Sequence, residues 1–217
     1  MPPALIFDLD GTLIDSAPAI CALSNSVLRA QGFPPLDHDQ IRSFVGRGVP
    51  NLVSRLLEAV GQDPAGPRFQ PLHDDLVARY ETEVEGNSLY PGVGQALADL
   101  AARGHAMAIA TNKPLRPAQA VLRHLGLDTF FPVVLGGDSL TSRKPDPAMA
   151  HEAHRLLNRP RALFIGDSEV DAETAARAGM PFLLYTEGYR KSPVEALPHT
   201  AAFRDFADLP GLVAAFA

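Results

Sequence analysis

Apolar residues fall along this chain in two rhythms. Short continuous runs at residues 4–9, 105–111, 131–135, 161–165 and 181–185 have the length and composition of strands buried on both faces. Between the later runs, apolar positions recur every three or four residues, which predicts helices near 92–103, 115–125, 146–157 and 169–178. Strands alternating with helices in this way imply a parallel sheet covered on both sides. Several runs end on polar or glycine-rich residues: Asp8, Thr111-Asn112, Gly136-Gly137-Asp138 and Gly166-Asp167-Ser168. In an open α/β sheet the ligand crevice lies outside the carboxyl ends of the strands, so these endings are expected to converge on one site.

The stretch 15–87 keeps only the helical rhythm. Leu52, Val53, Leu56, Leu57 and Val60 recur at helical spacing, as do Phe69, Leu72, Leu76, Val77, Tyr80 and Val84. Pro34-Pro35 and the segment from Pro64 to Pro67 interrupt it. The expected organisation is therefore an α/β core of residues 1–14 and 88–217, built on a Rossmann-like parallel sheet. An all-helical subdomain, residues 15–87, is inserted after the first strand.

Composition then narrows the partners. With 217 residues, 46% of them hydrophobic and 20% charged, the chain excludes collagen, coiled-coil and disordered readings. Nineteen basic against 25 acidic residues leave a net charge of −6. That balance lacks the broad basic face of sequence-independent nucleic-acid binding. No apolar run approaches the roughly 18 residues of a membrane span, and the N-terminus meets Asp8 before any signal-peptide core. Cys21 is the single cysteine, so no internal disulfide or cysteine-based zinc cluster can form. The expectation is a reduced, cytoplasmic protein with neither nucleic-acid nor membrane partners; oligomeric state stays open.

The chemistry is concentrated in Asp8-Leu9-Asp10-Gly11-Thr12 at the end of the first strand. Side chains of an extended chain alternate, so Asp8 and Asp10 are expected on one side. Two adjacent carboxylates repel unless a cation compensates, and carboxylate oxygens suit Mg²⁺. Gly11 permits a turn directly after the pair, freeing backbone N–H groups to face an anion.

The segment from Phe7 to Leu13 resembles the first motif of the haloacid dehalogenase superfamily of phosphatases. Three further motifs follow in the family's order: Thr111-Asn112, Lys144-Pro145-Asp146-Pro147, and Gly166-Asp167-Ser168-Glu169-Val170-Asp171. The helical insert resembles the family's cap. The resemblance implies an Mg²⁺-dependent phosphomonoester hydrolase of small phosphorylated metabolites that works through an aspartyl-phosphate on Asp8. Asp10 would protonate the leaving alkoxide and then deprotonate water. Thr111 would offer a hydroxyl, and Asn112 an amide, to the phosphoryl oxygens. Lys144 would pair with the nucleophile and the phosphoryl group. The metal would be held by Asp8, Asp10 and Asp167, with Asp171 supporting its shell. The chain has 16 Arg and only three Lys, which gives Lys144 weight as a compact ammonium. Lys113 is expected to be structural or peripheral, Glu169 matches no invariant role, and the seven histidines show no metal-ligand spacing.

Within the superfamily, Asp10 separates this chain from the metal-independent dehalogenases. The absence of Lys from 15–87 separates it from the phosphonatases, and Ile20 stands where the phosphomutases carry a cap histidine. Asp15-Ser16, Phe44 through Pro50, Gly136-Gly137-Asp138 and Arg143 through Pro147 resemble most the phosphoglycolate phosphatases of bacteria. This implies 2-phosphoglycolate as substrate, although cap-bearing pyrophosphatases and sugar phosphatases share many of these features, and a phosphomutase stays open as the other alternative. Arg47, between two glycines of the insert, either binds the substrate's carboxylate or is a solvated turn residue.

Overall fold

The computed structural model describes residues 1–216 of the chain; residue 217, the last of the expected core, lies outside the described residues. The elements run β1 (Ala4–Phe7), β2 (Ile14–Asp15), α1 (Ala17–Ala30), α2 (His38–Arg42), α3 (Val49–Ala59), α4 (Phe69–Tyr80) and β3 (Ser88–Leu89). They continue with α5 (Val93–Ala102), β4 (Met107–Ala110), α6 (Leu115–His124), β5 (Val133–Leu135) and α7 (Ala148–Leu157). The last third holds β6 (Ala162–Gly166), α8 (Glu169–Ala178), β7 (Phe182–Tyr185), β8 (Ala201–Phe203) and α9 (Leu209–Ala214).

Six strands form one parallel sheet in the order β5-β4-β1-β6-β7-β8. The first strand in sequence is thus internal, with Leu5 opposite both Met107 and Leu163. Its alternate residues serve opposite layers. Leu5 and Phe7 pack with residues of α5, α6 and α9, whereas Ala4 and Ile6 pack with residues of α7 and α8. Both faces are apolar because helices cover both, which explains the continuous rather than alternating hydrophobic runs. A fully buried Leu, Ile or Phe of this kind contributes about 1.5–3 kcal/mol.

Two sequence expectations shift. The first strand ends at Phe7 rather than residue 9: Asp8 still donates its N–H to Ile165 O (2.9 Å), and the chain then turns through Gly11 at φ +86°. Alternation therefore does not carry through to Asp10. The edge strand β8 was not expected at all. It is three residues long and begins Ala-Ala, and Phe203, packed against Tyr185 and Phe206, is its one strong apolar anchor.

The helices α1 to α4 bury their own cluster, including Ile20, Leu28, Ile41, Val53, Leu57 and Leu76. At the base of this segment β2 and β3 pair antiparallel, Ile14 with Leu89 and Asp15 with Ser88. Asp15, expected in the helical stretch, is therefore a strand residue. Among the described residues, no helix is long and apolar enough to cross a membrane.

Candidate active site

The carboxyl ends of β1, β4 and β6 bring Asp8, Thr111 and Asp167 to one edge of the sheet, where strand order reverses beside β1. Asp8, Asp167 and Asp171 each offer a carboxylate oxygen within 4.8 Å of the others, and all three residues are buried. One ammonium serves this group: Lys144 Nζ lies 2.7 Å from Asp171 Oδ1 and 2.9 Å from Asp8 Oδ1. The second contact is an ion pair outside hydrogen-bond geometry, so Asp8 Oδ1 is buried without a hydrogen-bond partner. Burial, and then the charge of Asp171, push the Asp8 carboxyl up to about 7 against the pull of Lys144. Burial and the charges of Asp171 and Asp8 also hold Asp167 well above the usual carboxylate range.

One ammonium pairs with two of these three buried carboxylates and leaves the group a cation short, and an all-oxygen donor set fits a hard divalent ion. The surroundings fix the set. Asp167 accepts from Thr12 Oγ1 at 2.7 Å and from the Tyr189 N–H at 2.6 Å. Asp171 closes a capping box with Ser168 at the start of α8, so the residue that anchors Lys144 is also fixed by its own helix. Gly11 is needed here twice over: its φ is left-handed, and a Cβ would lie 2.6 Å from Asp167 Oδ2.

Asp10 faces a different ammonium. Lys113 Nζ sits 3.1 Å and 3.4 Å from its two carboxylate oxygens, with a side chain only 2% exposed, and 4.2 Å above the ring of Tyr80 from α4. Lys113 is thus not peripheral. Its burial works against the charge, but Asp10 outweighs it and the proton is held more tightly than on an ordinary lysine.

Thr111 accepts from the Lys113 N–H at 3.2 Å and keeps its own hydroxyl hydrogen to donate. Asn112 is held by its neighbours. Its Nδ2 donates to Gly46 O and Lys144 O, each at 3.0 Å, and its Oδ1 accepts from the Lys144 N–H at 3.0 Å. Both side-chain amide hydrogens are used, so the Asn112 side chain positions the main chain of Lys144 and fastens the loop before α3. Gly48 in that loop stands where a Cβ would come 3.2 Å from Asn112 O.

Two cavities meet at Asp8 and Asp10. The larger, about 450 Å³, is also lined by Asp167, Arg47, Arg55 and Lys191; Arg47 is exposed there. The smaller, about 30 Å³, reaches inward between Lys113 and the apolar Ile20, Leu52 and Tyr80. Sequence reasoning missed Thr12, Lys113 and Tyr189 as site residues. Lys113 carried a signal in the scarcity of lysine; Tyr189 carried only its position after a strand.

This geometry has clear relatives. A profile of the haloacid dehalogenase-like hydrolases matches residues 5–185. A phosphoglycolate phosphatase of Rhodobacter capsulatus is 63% identical over 213 residues, covering 98% of this chain and 97% of that protein. A phosphoglycolate phosphatase of Rhodospirillum rubrum is 39% identical over 216 residues, covering 96% and 90%. Among solved structures, one titled a predicted phosphoglycolate phosphatase from Haemophilus somnus superposes with a TM-score of 0.91 at 29% identity, covering 97% of each chain. The structure of CbbY from Rhodobacter sphaeroides in complex with phosphate gives 0.83 at 25%, covering 96% of each.

Proposed function

The chain belongs to the haloacid dehalogenase-like hydrolase family, and on that premise we propose that this phosphatase hydrolyses 2-phosphoglycolate to glycolate and phosphate. The observation that carries the phosphatase reading is the buried cluster of Asp8, Asp167 and Asp171, in which the Lys144 ammonium pairs with Asp8 and Asp171. The substrate is supported by the Rhodobacter capsulatus relative, which matches nearly the whole chain.

In this reading an Asp8 oxygen attacks phosphorus, the ester P–O bond breaks, and Asp10 gives its proton to the leaving alkoxide. Asp10 then takes a proton from water as that water attacks phosphorus, and the acyl-phosphate bond breaks to return the Asp8 carboxylate and inorganic phosphate. Lys144, held by Asp171, and the Thr111 hydroxyl stabilise the phosphoryl oxygens. Asp8 and Asp167 through their carboxylates, and Asp10 through its backbone carbonyl, would hold Mg²⁺, with Asp171 fixing the neighbouring charge. When bound, the ion neutralises the charge that keeps a carboxylate nucleophile from a phosphate ester. Residues 15–87 act as a cap over the site. Ile20, buried and lining the inner cavity, offers no proton relay, which favours a hydrolase over a mutase. The one free cysteine, Cys21, suits a reducing cytoplasm.

Phosphate release from a panel of phosphorylated metabolites, with Mg²⁺ and with excess chelator, tests this. The expected outcome is the highest kcat/KM on 2-phosphoglycolate and none of that activity in chelator. Equal rates across the panel would remove the substrate assignment, and full turnover in chelator would remove the metal.

A further inference from the structure

We propose that Lys113 recognises the carboxylate of the substrate, bridging it to Asp10; this rests on the 2-phosphoglycolate reading. The first argument is location. Lys113 sits in the loop after β4, with Nζ 3.1 Å from Asp10 Oδ1 and a side chain 2% exposed. It is the cation among the residues lining the inner cavity, whose helical-subdomain wall includes Ile20, Val49, Leu52 and Tyr80. A negatively charged leaving group that enters there meets the carboxylates of Asp8 and Asp10 on one side and apolar side chains on the other, and this ammonium is the one positive group to receive it; an unpartnered buried carboxylate is prohibitively costly.

Chemical connectivity supplies the second argument. The acid that protonates the leaving oxygen must come within hydrogen-bond reach of it, about 2.6–3.2 Å. In 2-phosphoglycolate the carboxyl carbon is two bonds from that oxygen. A group in contact with Asp10 is therefore also within reach of the carboxylate. An ammonium has three N–H donors, so Asp10 does not exhaust it.

Size agrees. A cavity of about 30 Å³ takes little more than one or two water-sized groups. So small a space favours a short leaving group over a bulky one at this end of the site. A compact ammonium fits beside such a ligand where a guanidinium would fill the space, which accounts for a lysine in a chain with 16 arginines. Arg47, exposed on the larger cavity, is a cation of the mouth instead.

The test compares 2-phosphoglycolate with 2-hydroxyethyl phosphate, a neutral leaving group of similar size, in wild type, Lys113→Met, Lys113→Arg and Arg47→Ala. The readouts are the kcat/KM ratio of the two substrates and competitive inhibition by glycolate. Lys113→Met is expected to lower both rates but to cut the ratio by roughly 10- to 100-fold, the loss of one charge-assisted hydrogen bond, and to abolish inhibition by glycolate. If Lys113→Met does not fold, Lys113→Arg still decides: it keeps the charge but displaces it, and the ratio should fall at least about 3-fold. Arg47→Ala should leave the ratio within about 3-fold of wild type. An unchanged ratio in the Lys113 variants, or a loss confined to Arg47→Ala, overturns the proposal. A wild type that does not prefer 2-phosphoglycolate over its neutral analogue overturns the substrate assignment itself, before any variant is compared.

Discussion

Asp8 stands where three negative side chains meet one positive one, and its reactivity and its cost to the fold have the same origin. Burial beside two further carboxylates raises the energy of the charge on Asp8, and the same burial destabilises the cation-free site. Asp8→Asn should therefore abolish turnover while leaving the melting temperature in chelator unchanged or higher. The amide keeps the shape, cannot form the acyl phosphate, and removes one of the repelling charges. Phosphate release and a thermal melt check both halves; residual activity above about 1% of wild type would count against Asp8 as the nucleophile. Lys144 and Lys113 divide the cationic work between Asp8 and Asp10, a division that neither the motif order nor the spacing of the lysines discloses.

The loop before α3 links the inserted helices to the core through Asn112, which accepts the Lys144 N–H and donates to both Lys144 O and Gly46 O. Gly48→Ala should disturb this joint in two ways. Its φ of +83° disfavours a side chain by about 1 kcal/mol, and the new Cβ would press on Asn112 O at 3.2 Å. The expected result is a higher KM and a stability loss of roughly 1–2 kcal/mol by denaturant titration. Five of the six core strands and four of their helices were legible as patterns, because parallel strands covered on both faces are continuous apolar runs. β8 was not, since Ala201-Ala202 resembles its surroundings and its pairing with β7 is a tertiary event. The pairing of β2 with β3 was hidden for the same reason, as two-residue strands have no period to read. Asp8, Asp10, Lys144 and Asp167 were legible through their motifs; Tyr189, which bonds Asp167 from a loop far along the chain, was not.

At the scale of the whole molecule, the acidic cluster makes stability depend on pH and on cation. In the folded, cation-free protein the Asp8 carboxyl titrates near 7, against 3.8 when exposed, so folding retains a proton that the unfolded chain releases. Stability is then full below about pH 4 with respect to this group and is lost as pH rises through 7. A thermal melt in chelator should fall by roughly 5 °C or more between pH 5 and pH 8, and Mg²⁺ at saturation should remove most of that fall. A melt in chelator that rises over this range would contradict the cluster's electrostatics. The internal position of β1 has a different consequence, one for synthesis. β1 is made before the strands on either side of it, which it meets at Met107 of β4 and Leu163 of β6, so a nascent chain that has not reached them presents Ala-Leu-Ile-Phe with at least one open edge. The helices of the insert, with local contacts and a core of their own, can form during that interval. The sheet that carries Asp8 therefore closes late in translation, and until then its first strand waits with an apolar edge open to non-native pairing.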